Sequence, residues 1–246
     1  MLIHKVAVNL VPEIYGNEVT PMKQTLFITG TDTDAGKTVV SCGLLARAKL
    51  DGLTTAAVKP IASGCEQTAD GLRNSDALAL QQSITMELPY NQINPIALEP
   101  AIAPHIGLQE TQRRVTTDQL AGYCRGVMMK GADLTLIEGA GGWRVPLSPR
   151  EMYSSVPKKL NIPVVLIVGM KLGCINHAVL TLEAIFKDGL KPVGWVANRA
   201  EPEMSRFDEN LTTLKGLLPV PCLGVVPHLT NPSPENVAEH LTLPKV

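Results

Sequence analysis

No stretch of about 18 apolar residues runs through this sequence, so no segment is expected to span a membrane. It has no basic excess either. The 22 Lys and Arg stand against 23 Asp and Glu, a net charge of −1, and no basic run breaks the mixture. Nucleic-acid binding, which rests on such an excess, is therefore set aside as a class. Cys42, Cys65, Cys124, Cys174 and Cys222 are odd in number and form no C-x-x-C pair. That disfavours a disulfide framework and a zinc site, and makes a reducing cytoplasm the expected compartment. Cys174, near an expected helix start, reads as a small packed residue rather than a reactive thiol. Residues 1–22 lack a continuous apolar core and a small-residue cleavage site, against a signal peptide. They are set apart as a loosely ordered N-terminal extension of unassigned role, with 23–246 as the domain. No repeat, low-complexity tract or linker divides the remainder.

What is present is an alternation of short apolar runs with amphipathic stretches. Strands are expected at Leu26–Thr29, Thr54–Val58, Leu134–Ile137, Val164–Val168, Val193–Val196 and Leu223–Val226. Helices are expected at Thr38–Leu50, Ser75–Gln82, Thr117–Met129, Ile175–Lys187 and Arg206–Leu217. Continuously apolar strands between helices imply an α/β fold: a single doubly wound, mostly parallel sheet with helices on both faces. The least regular stretch, Thr85 to Gln112, carries Pro89, Pro95, Pro100 and Pro104. Such insertions often cover a site in α/β enzymes.

Gly30-Thr31-Asp32-Thr33-Asp34-Ala35-Gly36-Lys37-Thr38 matches G-x-x-x-x-G-K-[ST], with a strand before it and a helix after it. This makes the fold one of the P-loop NTPase type. The glycines let backbone N–H groups turn toward phosphate oxygens, and the helix start adds its positive dipole end. Lys37 is expected at the outer phosphates and the Thr38 hydroxyl on magnesium. A second metal anchor is expected on a neighbouring strand end, where Glu138 closes Leu134–Ile137 ahead of Gly139-Ala140-Gly141-Gly142. Alone, Glu138 would read as an exposed strand end. Lys59 and Ser63 follow the second strand at the edge where parallel sheets bind ligands. Asp76 is either a helix cap or a metal ligand. Asn198-Arg199-Ala200 lacks the Asp of an Asn-Lys-x-Asp run, which disfavours guanine and leaves ATP as the expected nucleotide.

Taken in order, these segments resemble the dethiobiotin synthetase family of biotin biosynthesis. The resemblance runs from Leu26 nearly to the C-terminus: G-T-D-T-D-A-G-K-T at 30–38, K-P-I-A-S-G at 59–64, G-L-R-N-S-D-A-L-A-L at 71–80, E-G-A-G-G-W at 138–143, G-M-K-L-G-C-I-N-H at 169–177, G-W-V-A-N-R at 194–199, and V-P-H-L with P-E-N within 226–236. The loop alone is shared by many ATPases; its combination with K-P-x-A-S-G and K-L-G-C-I-N-H is specific. The resemblance implies a homodimeric P-loop enzyme that uses ATP and magnesium to join carbon dioxide to 7,8-diaminononanoate. It also implies that Asp34, Ala35, Gly36, Lys37, Thr38 and Val39 wrap the phosphates, and that Thr38, Asp76 and Glu138 hold magnesium. Lys59 takes the catalytic-lysine position beside Lys37, and Thr33 and Ser63 face the diamine or its carbamate. Glu138, Gly139, Ala140, Gly141, Asn198, Arg199, Pro227, His228, Leu229 and Glu235 are expected along the nucleotide. Gly173, Cys174, Ile175 and Asn176 would receive the substrate tail from the partner subunit. The spacing after Leu229 departs from the family pattern by about one residue, which bears on Glu235, and residues 1–22 lie outside it.

The chemistry implied needs cations rather than a nucleophile. An amine adds to carbon dioxide, ATP phosphorylates the carbamate, and the second amine closes the ring as phosphate leaves. Lys37, Lys59 and magnesium suit the charge that moves. His177 reads as a packed or capping residue rather than a base. A competing reading is an ATP-driven switch of the partitioning type, acting through partner binding. Those proteins often carry lysine at the second loop position, which here is Thr31. A ligase or amidotransferase of another cofactor pathway is a third.

Overall fold

Six buried apolar segments become the six strands of one sheet. The computed structural model describes residues 23–245; the expected extension at 1–22 lies outside them. In chain order the elements are β1 (Gln24–Gly30), α1 (Lys37–Leu50), β2 (Thr55–Val58), β3 (Ile61–Ala62), β4 (Glu66–Thr68) and β5 (Gly71–Arg73). There follow α2 (Ser75–Ser83), α3 (Tyr90–Ile93), β6 (Ile96–Ala97), α4 (Pro104–Glu110), α5 (Thr117–Met128), β7 (Leu134–Glu138) and α6 (Ser155–Leu160). The chain then runs through β8 (Val164–Gly169), α7 (Cys174–Lys187), β9 (Pro192–Asn198), α8 (Phe207–Leu217), β10 (Cys222–Val226) and α9 (Pro234–Ala238).

The main sheet has the order β10-β9-β8-β1-β7-β2, and every pairing within it is parallel. Side chains alternate between faces along a strand. Every residue of β7, β8 and β9 is buried, so both faces of the sheet are covered there. The chain passes from β1 out to the edge strand β2, returns through β7, and then winds the opposite way through β8, β9 and β10. The reversal of direction falls beside β1, whose carboxyl end is the phosphate loop. Ligands of open α/β sheets bind at such a reversal.

The stretch expected to be irregular is more ordered than its prolines suggest. It holds α3, β6 and α4. Strand β6 pairs in parallel with β3, and backbone bonds from Leu98 to Ala62, Gly64 to Pro100 and Cys65 to Leu98 extend the pairing at 2.8 to 3.0 Å. Prolines fall where no N–H is needed, as with Pro104 at the start of α4. Residues 98–104 thus form a pinned strap beside the carboxyl edge of the sheet.

Candidate active site

The phosphate loop takes its shape from two unusual residues. Asp34 has φ 58° and Gly36 has φ 84°, both left-handed, and Gly36 is the residue from which α1 springs. A Cβ on Gly36 would lie 2.0 Å from Asn198 Nδ2. Only glycine fits, because the Asn198 amide reaches in to donate to Ala35 O at 3.0 Å. Thr31 N donates to Ile167 O at 2.9 Å and Gly169 N to Thr31 Oγ1 at 3.2 Å, tying the loop to β8.

Behind the loop, charged groups converge on Glu138, which is fully buried. The register places Glu138 beside Ile28 of β1. Its Oε1 accepts from the Thr38 hydroxyl and from Lys59 Nζ, both at 2.8 Å, and its Oε2 accepts from Ser41 at 2.9 Å. Thr38 and Ser41 lie three residues apart on α1 and so share a face. Lys59 Nζ also donates to Asp76 Oδ2 at 2.6 Å. Glu138 is thus a buried anchor and not the exposed strand end it would read as when taken alone. Asp76 is not the helix cap: Asn74 Oδ1 accepts from Ala77 N at 3.2 Å, which leaves the Asp76 carboxylate free for Lys59.

These neighbours set the protonation states. Burial disfavours the Lys59 ammonium, but Glu138 and then Asp76 outweigh it and raise its pKa. Burial lowers that of Lys37, against the pull of Glu138. Burial pushes the Asp76 carboxyl up, yet Lys59 brings it below the usual carboxylate range. Lys59 and Asp76 are thus each shifted toward the charged form.

Beside them opens a cavity of about 780 Å³. Its polar wall carries Asp32, Thr33, Asp34, Lys37, Thr38, Lys59, Ser63 and Asp76. The Ser63 hydroxyl is buried without a partner, as expected of a group awaiting a ligand. Its apolar lining is Ala101, Ile102, Ala103 and Pro104 of the strap, with Val145. Gly36, Val39, Ala140 and Gly141 complete the expected lining, while Ala35 and Gly139 are buried just behind it.

Other expected residues lie outside the cavity, Asn198 behind the loop at Ala35 and the rest farther along. Asn198 and Arg199 end β9 next to Pro227, His228 and Leu229, joined by Arg199 N donating to Val226 O at 2.9 Å. Glu235 is exposed in the first turn of α9. None of these lines the cavity, and neither does any of Gly173, Cys174, Ile175 and Asn176. Cys174 is buried with its thiol pKa raised by that burial, as a packed residue. His177 is half-buried with Nδ1 unpartnered, so it caps nothing through that atom. Sequence assigned three contributors no role, although Lys171 and Trp143 lie within the segments that carry the resemblance. The strap shows itself in sequence only as an insertion. Lys171 pairs with Asp32 at 2.9 Å, and Asp188 accepts from both Trp143 and Arg144. Ser41 had a legible signal, its i+3 spacing from Thr38.

Hard oxygen donors suit magnesium, and Thr38, Asp76 and Glu138 provide them. No group of three His, Cys, Asp or Glu side chains is assembled among the described residues. Two carboxylates and a hydroxyl fit an ion whose remaining ligands are phosphate oxygens and water. Among the described residues no helix is long and apolar enough to cross a membrane, and all five cysteines are free.

The chain is similar to known proteins over most of its length. A family model described as an AAA domain, AAA_26, matches residues 24–236. The ATP-dependent dethiobiotin synthetase BioD of Cellvibrio japonicus (strain Ueda107) is 56% identical over 221 residues, covering 90% of this chain and 96% of the relative. That of Marinobacter nauticus is 57% identical over 210 residues, covering 85% and 90%. The septum site-determining protein MinD complexed with Mg-ADP, from Pyrococcus horikoshii OT3, superposes with a TM-score of 0.54 at 16% identity, covering 89% of this chain and 86% of that one. The MinC:MinD complex of Aquifex aeolicus gives 0.55 at 14%, covering 88% and 94%. At such identities the likeness to MinD is one of fold alone, and it gives the partitioning-type switch no support. With relatives more than half identical along most of its length, the chain belongs to the ATP-dependent dethiobiotin synthetase family.

Proposed function

We propose the following division of labour for the ATP-dependent closure of dethiobiotin's cyclic urea from 7,8-diaminononanoate and carbon dioxide. The loop from Asp34 to Val39 holds the phosphates, and Asn198, Arg199, Pro227, His228, Leu229 and Glu235 run along the rest of the nucleotide. Thr38, Asp76 and Glu138 hold magnesium, which supplies charge neutralisation at the phosphates when bound. Lys37 faces the transferred phosphoryl group and Lys59 the carbamate side, with Thr33 and Ser63 toward the diamine. Residues 23–246 act as one domain. Two copies complete each site, with Gly173–Asn176 of one reaching the cavity of the other, in the cytoplasm.

The observation that carries this reading is the cluster of Lys37, Lys59, Asp76 and Glu138 around Thr38, opening into a cavity lined by both charged and apolar side chains. Such a cavity suits a substrate that is cationic at its head and aliphatic along its chain. No nucleophilic side chain is needed, because the substrate's amines supply both attacks. The test is ADP and dethiobiotin formation with and without the diamine and bicarbonate. Turnover should require both. Lys37→Ala should lower it roughly 100- to 1000-fold, since a developing phosphoryl charge loses its nearest cation. ADP release indifferent to the diamine, or unimpaired in Lys37→Ala, would sink the proposal.

A further inference from the structure

Two buried amides grip the segment that carries Lys59 and Ser63. Asn94 Nδ2 donates to Lys59 O at 2.8 Å and to Ile96 O at 3.3 Å, and Asn74 Nδ2 donates to Ser63 O at 3.2 Å. Asn94 is 3% exposed and Asn74 5%. One hydroxyl joins them. Tyr90 Oη accepts from Asn74 N at 2.7 Å and donates to Asn94 Oδ1 at 3.2 Å. The polarity of the whole network is fixed. Turning the Asn94 amide over would set its oxygen against two carbonyls, and turning that of Asn74 would do the same at Ser63 and take the cap from Ala77 N. Burial raises the Tyr90 pKa, so its proton stays in place to be donated. Tyr90 and Asn94 meet because they lie four residues apart across the single turn of α3.

We infer that Tyr90 is a positioning residue for the reaction: acting through Asn74 and Asn94, its hydroxyl fixes where Ser63 and Lys59 stand in the cavity. None of Tyr90, Asn74 and Asn94 lines that cavity, so they touch no substrate within it. Their effect passes through the backbone of the residues that do line it. The Ser63 hydroxyl is buried without a partner, so its place depends on how that backbone is held. A shift of about 1 Å in such a group can cost about 100-fold in rate. Without the Tyr90 hydroxyl a buried donor and a buried acceptor lose their partner, and the two amides are free to turn from the carbonyls they hold. The phosphate loop is tied instead to β8 and to Asn198, apart from this network. Loss of the hydroxyl therefore falls on the diamine and not on the nucleotide. This rests on the assignment of Lys59 and Ser63 to the substrate side, and the experiment separates the two.

Tyr90→Phe deletes the hydroxyl alone, since the ring remains for the Arg73 guanidinium 4.3 Å from its centroid. Dethiobiotin formation is measured at saturating ATP, magnesium and bicarbonate while the diamine is varied, and ATP binding is measured by calorimetry. The KM for the diamine should rise about fivefold or more, with the ATP dissociation constant within about twofold of wild type. Partial unfolding cannot imitate this, because it lowers kcat through the number of active sites and leaves KM unchanged. Asn74→Ser keeps an N-cap oxygen but loses the amide that reaches Ser63, so it should raise the same KM by a similar factor. The double variant should fall short of the product of the two factors, as residues of one network do. An unchanged diamine KM in Tyr90→Phe, an equal loss of ATP affinity, or factors that multiply in full overturns the inference. Should Tyr90→Phe fail to fold, Asn74→Ser is judged by the same two constants. Ser63→Ala and Lys59→Ala test the assignment beneath it. If neither changes KM or kcat for the diamine, that assignment fails and the inference with it. If either does while Tyr90→Phe does not, the inference alone fails.

Discussion

A methyl group added to Gly36 has nowhere to go. The backbone there is at φ 84°, and the new Cβ would lie 2.0 Å from Asn198 Nδ2. The clash cannot be relieved cheaply, because moving Asn198 breaks its bond to Ala35 O at 3.0 Å and exposes the loop to rearrangement. Gly36→Ala should therefore lose about 1–3 kcal/mol of stability, by strain and a broken buried bond, and lose ATP binding with it. Urea denaturation and calorimetry with ATP check this; near-normal affinity would mean that Asn198 is not the constraint. Charged pairs at the site differ in weight. Lys171 and Asp32 have side chains 42% and 47% exposed, and such a pair contributes about 0–1 kcal/mol. Breaking the buried Lys59–Glu138 pair costs about 3–5 kcal/mol. Asp76 adds a dependence on pH. Its folded pKa is depressed, chiefly by Lys59 against the effect of burial. Its contribution is therefore present above the unfolded carboxyl value of about 3.9 and lost as pH falls through the folded value. In urea titrations the stability gap between wild type and Asp76→Asn should narrow as pH drops below about 4. A gap constant down to acid unfolding would show that the charge on Asp76 is not what Lys59 feels.

Helix α7 and the glycine loop after β7 are joined by one carboxylate. Asp188, the C-cap of α7, accepts from Trp143 Nε1 at 2.9 Å and from both Arg144 terminal nitrogens at 2.7 and 3.0 Å. Trp143 is itself buried edge-on against Phe27 of β1, with ring centroids 6.0 Å apart. The loop that lines the cavity through Ala140, Gly141 and Gly142 is thus held from its far end. Asp188→Ala strands a buried indole N–H, a loss of about 1–3 kcal/mol. In a Trp195→Phe background, which leaves Trp143 as the sole tryptophan, emission should shift to the red and the melting temperature should fall. Unchanged emission would show that the carboxylate does not hold the ring. This knot was invisible in sequence because it depends on two segments 45 residues apart, with neither partner in a phosphate-binding motif. The strands were legible for the opposite reason. A strand covered on both faces, such as Val164–Val168, writes its burial as an unbroken apolar run. Short elements such as β3, β6 and α9 have no period long enough to read. Likewise spacing singled out Thr38 and Glu138, whereas for Asp76 it left a cap and a metal ligand open, and only the resemblance favoured the metal; Asn74 takes the cap.

For the molecule as a whole, the remaining question is whether one chain makes a complete site. The cavity is lined by no residue of Gly173–Asn176, the segment proposed to receive the substrate tail from the partner subunit. Its position at the start of α7 presents free N–H groups and a positive dipole end, suited to a carboxylate. The same region carries apolar side chains open to solvent: Leu172 at 97% exposure, Leu180 at 56% and Phe186 at 46%. A two-fold dimer would cover such a surface and bring one chain's segment to the other's cavity. Mixing subunits distinguishes this from a site built by one chain. Lys37→Ala and Asn176→Ala, each poorly active alone, are allowed to exchange. If the site is shared, a mixed dimer has one site that combines wild-type Lys37 with wild-type Asn176. Random exchange makes half of the dimers mixed, so roughly a quarter of all sites should recover. If each site comes from one chain, every site keeps a lesion and no activity returns. Differently tagged subunits establish that exchange has taken place, so that an inactive mixture counts directly against the shared site.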